Sequence, residues 1–166
     1  RTVFNLLGPL ANPAHAQTQV IGAPSTAFAR VMADALSELG TGHALVVHGQ
    51  DGLDEVSISG ATDVFEVWTG RVEKQVWTPE DFGIARAPLD ALAGGDAADN
   101  ARITLEILRG EKGARRDIVL VNAAAGLLVA GRAKNPHSAW LRAAEAIDSG
   151  QALGVLEKLQ KNFASE

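Results

Sequence analysis

Apolar residues fall into two distinct periods along this chain, and a first supersecondary unit can be read from them. Phe28, Val31, Met32, Leu36 and Leu39 recur at helical spacing. Pro24-Ser25-Thr26 places cap residues ahead of them, and Gly40 ends the run. Residues 17–23 read as a strand before that helix. Residues 44–47 follow it as a short apolar run of the kind buried in a parallel sheet. Strand, helix and strand in this order imply a right-handed crossover.

Beyond residue 55 the pattern changes. Residues 56–59, 63–69 and 71–78 read as strands, with Thr69-Gly70 as a hairpin turn between the last two. Residues 79–88 form a loop. Asp96 caps a helix over 97–109, with Asp99 in its favourable first turn and Gly110 at its end. Residues 118–130 are apolar almost all round, which predicts a buried helix. Asn135-Pro136 opens another helix over 137–149, and 152–163 forms a last, amphipathic one. The class expected is α/β, with a mostly parallel sheet flanked by helices.

Composition narrows the partners. A net charge of −5 argues against the broad basic face of a nucleic-acid binder, though not against a local site for an anionic small molecule. Absence of cysteine excludes disulfides and thiolate metal sites. The longest apolar runs are too short to span a bilayer, and no signal-peptide pattern opens the chain. A cytoplasmic location is expected. Arg1 stands where a methionine would, directly ahead of a dense motif, so a piece of a longer protein is also expected.

Candidate chemistry sits after the strand at 44–47. In open parallel sheets, ligands gather at the carboxyl ends of strands. His48-Gly49-Gln50-Asp51-Gly52-Leu53-Asp54-Glu55 leaves that end with two glycines and three acids. In a loop, the adjacent carboxylates of Asp54 and Glu55 can approach one cation, whereas on a strand they would face opposite ways. Hard oxygen ligands suit magnesium, which takes one or two protein carboxylates together with substrate phosphates and water. By spacing alone a solvated acidic turn is the simpler reading, since Asp-Gly is common in turns.

A longer comparison of motifs bears on that choice. Arg1-Thr2-Val3-Phe4-Asn5-Leu6-Leu7-Gly8-Pro9-Leu10-Ala11-Asn12-Pro13 resembles the segment that follows the small-domain helices of anthranilate phosphoribosyltransferases. Similar blocks continue in order at His48-Gly49, Asp51-Gly52-Leu53-Asp54-Glu55, Thr78-Pro79-Glu80-Asp81-Phe82-Gly83 and Gly94-Gly95-Asp96 with Asn100-Ala101. They end with Gly110-Glu111-Lys112-Gly113, Arg116-Asp117 and Asn122-Ala123-Ala124. The resemblance covers nearly the whole chain but only the carboxyl-terminal half or so of that family.

The resemblance implies a nucleoside phosphorylase/phosphoribosyltransferase-like large domain. Residues 1–16 would connect from a small helical domain that is absent, and 17–166 would be part of the α/β domain. It implies transfer of phosphoribosyl from phosphoribosyl diphosphate to anthranilate in tryptophan biosynthesis. Asp54 and Glu55 would hold Mg2+ on the diphosphate, and no residue of this chain is implied as catalytic. Gly8 and Pro9 resemble the segment beside the anthranilate access route, although a rigid turn would look the same. The family's glycine-rich diphosphate loop and anthranilate-binding arginine lie upstream, so the chain alone is expected to be inactive. Arg1 falls just downstream of that arginine and reads as an ion-pair residue. The full-length protein is expected to be a homodimer, without nucleic-acid or membrane partners.

Two rivals differ in class. A pyrimidine-nucleoside phosphorylase of the same fold shares part of the Gly8-Pro9 segment, but the Asp54-Glu55 pair favours the transferase. A non-catalytic paralogue binding another ligand, such as nucleic acid, is disfavoured by the acidic balance. Other polar residues read as structural. His15, His43, His48 and His137 lack metal-ligand spacing, and Trp68, Trp77 and Trp140 lack basic interleaving. Asn122 reads as a satisfied core amide, and Lys112 with Arg115-Arg116 as a solvated basic loop.

Overall fold

The computed structural model describes residues 8–12 and 16–163. Strand β1 (Thr18–Gly22), helix α1 (Thr26–Glu38) and strand β2 (His43–Gly49) form the crossover. Strands β3 (Thr62–Trp68) and β4 (Arg71–Trp77) follow, then 3-10 turns at Pro79–Phe82 and Leu89–Leu92. Four helices complete the chain: α2 (Ala97–Leu108), α3 (Ala114–Val129), α4 (Pro136–Asp148) and α5 (Gln151–Phe163).

The strands lie in the order β1-β2-β3-β4. β1 and β2 are parallel, with Thr18 beside His43. β2 and β3 are antiparallel, and so are β3 and β4, joined through Trp68 and Arg71 by the expected two-residue turn. The α/β class and the flanking helices are as the sequence implies, but the predominance of parallel pairing is not. A parallel neighbour needs a crossover, usually through a helix. Among the described strands only β1 and β2 have one, in α1; the chain leaves β2 by a helix-free loop and returns antiparallel.

β2 carries Ala44, Leu45, Val46 and Val47 because both its faces are covered. Leu45 and Val47 pack with Val64, Trp77, Phe82, Val121, Ala124 and Ala125 on the side of α3. Ala44 and Val46 pack with Ile21, Phe65, Val67, Ala29, Met32 and Leu36 on the side of α1. β4 closes one edge with exposed Arg71, Glu73 and Lys74, charges that discourage pairing with another strand.

Caps follow the sequence closely. Ser25 accepts from the Phe28 amide at 3.3 Å, Asp96 from Asp99 at 2.9 Å, and Asn135 from Ser138 at 2.9 Å. The face of α1 differs from its apolar stripe. Ala29, Met32, Ala33 and Leu36 are buried, whereas Phe28, Val31 and Leu39 are exposed. Small alanines let the helix approach the sheet, which the spacing of large residues alone does not reveal.

Two further expectations are corrected. Residues 56–59 are not a strand, although Val56, Ser57 and Ile58 are buried. Their backbone groups are bonded by other partners: Asn122 for Val56, the Thr62 hydroxyl for the Ser57 amide, and the Ala87 amide for the Ile58 carbonyl. Buried backbone needs partners, but they need not be a ladder. Arg116 is not a solvated loop residue. It is 3% exposed, in the first turn of α3, and its Nη2 donates to Asp148 at 2.7 Å. Helix α3 begins at Ala114, ahead of the predicted start, after Gly113. Of the first sixteen residues, 8–10 are helical, while Arg1 and His15 lie outside the described residues.

Phe82 is fully buried and meets Trp77 edge-on, with ring centroids 5.7 Å apart. Phe82→Ala is expected to cost about 3–5 kcal/mol of unfolding free energy, read from the denaturant midpoint at unchanged slope.

Candidate metal and substrate site

The carboxyl ends of β1 and β2 lie side by side, Gly22 opposite Val47. Just past them the chain turns sharply. The Gly49 amide donates to Leu53 O at 2.8 Å and the Gly52 amide to Gly49 O at 2.9 Å. Gly52 has φ 101°, a region that side chains rarely adopt. His48 braces the turn from β2: its Nδ1 lies 2.9 Å from the Ala23 carbonyl. A carbonyl can only accept, so Nδ1–H donates there. His43 and His137 likewise hold backbone carbonyls, those of Val129 and Phe82.

The three acids of the turn differ in state. Asp51 is tied down: Oδ1 accepts from the Leu53 amide at 3.2 Å, and Oδ2 accepts from the Ser57 and Ser59 hydroxyls. Burial pushes its carboxyl upward, but the bonds from Ser57, Ser59 and Leu53 outweigh that and hold it below its ordinary value. Asp54 is exposed and Glu55 half-buried. Neither carboxylate accepts a hydrogen bond from the described residues. Burial raises the Glu55 carboxyl above its ordinary value, and the charges of Asp54 and Asp51 raise it further.

A divalent cation held by this pair would offset the repulsion between two adjacent carboxylates, and would give each a partner that it lacks among the described residues. Among the described residues no group of three or more histidines or acids could hold a metal ion by itself. The remaining ligands would have to be water or a bound substrate, the arrangement magnesium prefers.

Backbone contacts fix where the pair sits. A Cβ on Gly22 would collide with the Asp54 carbonyl, so β1 can lie against the turn only with glycine there. On the other side, the Asn122 side chain of α3 bonds both backbone groups of Val56, the residue after Glu55. Beside the turn, Asp63 accepts from Thr26 at 2.7 Å and from Gln50 at 3.2 Å, and pairs with Lys74 at 3.1 Å. Sequence reasoning gave no role to Gly22, Ser57 or Ser59 and a core role to Asn122. The one available signal was an asparagine on an otherwise apolar helix.

Gly8 and Pro9 are placed elsewhere. Pro9 lines a shallow cavity with Leu10, Gln17, Gln19, Leu39 and Thr41. That is the opening end of β1 and β2, away from Asp54 and Glu55.

The acidic turn lies at the carboxyl ends of a parallel strand pair, where ligands gather in open α/β sheets. Residues 1–153 match the model of the glycosyl transferase family, a/b domain, and the chain belongs to that family. Among curated relatives, the anthranilate phosphoribosyltransferase of Geotalea uraniireducens is 50% identical over 161 residues, 97% of this chain and 46% of that protein. That of Rubrobacter xylanophilus is 50% identical over 159 residues, 95% of this chain and 46% of that protein. The solved anthranilate phosphoribosyltransferase of Thermus thermophilus superposes with TM-score 0.86 at 43% identity, covering 95% of this chain and 46% of that one. The Saccharomyces cerevisiae enzyme in complex with PRPP and Mg gives TM-score 0.89 at 30% identity, covering 100% of this chain and 48% of that one. The chain spans about half the length of the curated relatives it matches.

Because the folded value of Glu55 is raised, its contribution to stability is present below the unfolded pKa and lost as pH rises through the folded one. Ionised Glu55 therefore costs the fold. Without divalent cations, Glu55→Gln is expected to raise the thermal midpoint at neutral pH. The gain should vanish below about pH 4, where both forms are neutral. Thermal melts across pH check this.

Proposed function

We propose that this chain provides the metal-binding side of an anthranilate phosphoribosyltransferase. The observation that carries the proposal is the Asp54-Glu55 pair: two adjacent carboxylates without hydrogen-bond partners among the described residues, on a braced turn at the strand ends. The reaction joins the ribose C1 of phosphoribosyl diphosphate to the amine of anthranilate and releases diphosphate, a step of tryptophan biosynthesis.

Asp54 and Glu55 would hold Mg2+ through their oxygens. Bound there, the ion supplies positive charge to the departing diphosphate. Asp51 does not compete for it, because Ser57, Ser59 and the Leu53 amide occupy its oxygens. The chain's contribution is positioning: β1 and β2 set the height of the turn, and Gly22 and Asn122 confine it from two sides. Placement and leaving-group electrostatics suffice for such a displacement, and no covalent enzyme intermediate is needed. The acceptor-side role of Gly8 and Pro9 belongs to the same proposal, but they touch neither carboxylate. Residues 1–16 are taken as the connection from a helical domain, and the working protein as a cytoplasmic homodimer. No helix among the described residues is long and apolar enough to cross a membrane.

In the full-length enzyme, Asp54→Asn with Glu55→Gln is expected to lower kcat/KM by at least about a hundredfold, since a Lewis-acid cation supplies several kcal/mol. The magnesium dependence should go with it. Formation of phosphoribosyl-anthranilate, followed by fluorescence at graded magnesium, provides the check; an unchanged rate and magnesium response would refute the metal assignment. The 166-residue chain assayed alone is expected to form no product, because it spans 46% of its relatives.

A further inference from the structure

We infer that Asn122 is a positioning residue for the metal-binding pair, acting through the backbone that follows Glu55. The inference rests on the reading of Asp54 and Glu55 given above. Asn122 lies in the middle of α3, among the buried residues Leu120, Val121, Ala124 and Ala125. Its Oδ1 accepts from the Val56 amide at 2.9 Å, and its Nδ2 donates to the Val56 carbonyl at 3.0 Å. The second Nδ2 hydrogen serves the Ile118 carbonyl one turn back, also at 3.0 Å. Both donors and the acceptor are thus engaged, which locks the side chain on its helix while it grips the loop.

The grip acts close to the pair. The amide that Asn122 holds belongs to the peptide joining Glu55 to Val56, so the bond fixes the plane from which Glu55 projects. The Asp54 carbonyl is backed by Gly22 on the opposite side. Neither carboxylate is steered by a side-chain hydrogen bond among the described residues, so backbone anchors are what set their directions. Without the amide, the Val56 N–H and C=O would be left without their partner beside a core residue, and the loop would have reason to move. A displacement of about 1 Å at a ligand-bearing loop is enough to weaken a site.

The test uses the full-length enzyme and a readout besides turnover. Binding of Mn2+ in the presence of phosphoribosyl diphosphate is measured by the loss of the free-ion EPR signal, alongside KM for each substrate, kcat and the thermal midpoint. Asn122→Ala is expected to weaken Mn2+ binding about tenfold, as losing a residue that orients a metal ligand does. KM for phosphoribosyl diphosphate should rise while KM for anthranilate stays unchanged. Asn122→Gln keeps the amide but is one methylene longer, so it guards against a variant that fails to fold. It is expected to fold and still bind Mn2+ several-fold more weakly. Folded variants that lose only thermal midpoint, with Mn2+ affinity and both KM values unchanged, would show Asn122 to be merely structural and overturn the proposal. A separate control tests the underlying reading: if Asp54→Asn with Glu55→Gln leaves Mn2+ binding unchanged, the metal site itself is wrong.

Discussion

β2 has to be covered on both faces, and the other described elements are arranged to do it. Its central residues alternate between two separate buried clusters, one closed by α1 and one by α3 with the 3-10 turn at Phe82. Neither helix can slide without exposing apolar area, at roughly 25 cal/mol for each Å². α1 is also the crossover that makes β1 parallel to β2, so the covering of one face and the direction of the neighbouring strand are one constraint. From it follows the place of the acidic turn, at the end where both strands finish.

That turn places like charges together, which a fold does not tolerate without compensation. The structure separates the three acids by giving them different partners. Asp51 is satisfied internally and becomes part of the scaffold. Asp54 reaches solvent. Glu55 is left half-buried with its ionisation opposed. A group held in that state is a common mark of a binding site, because the ligand supplies what the protein withholds. Serines 57 and 59 hold the first acid in its charged form and make it a brace of the turn.

Helix α3 links the two themes. One side seals the sheet through Val121, Ala124 and Ala125, and Asn122 reaches the loop beyond it. At its ends, Arg116 ties it to Asp148 of α4 and the Val129 carbonyl receives His43 of β2. The turn therefore rests on a helix that is itself held at three points.

Caps, the hairpin turn at Thr69-Gly70, the helices and the acidic loop were legible along the chain because each depends on neighbours within a few residues. Ser25, Asp96 and Asn135 bond amides three positions on, and nothing distant can change that. The ordered family motifs were legible for the same reason, as short local blocks. Residues 56–59 were misread because their backbone partners, Asn122, Thr62 and Ala87, are brought to them only by the fold. The strand directions, the buried state of Arg116 and the division of labour among Asp51, Asp54 and Glu55 are also long-range outcomes. The sequence by itself determined that two adjacent carboxylates would stand on a glycine-bearing turn after a buried strand. Only the tertiary structure decided which acid would be tied up and which would be left free, because hydrogen-bond satisfaction depends on groups that become neighbours only when the sheet is covered.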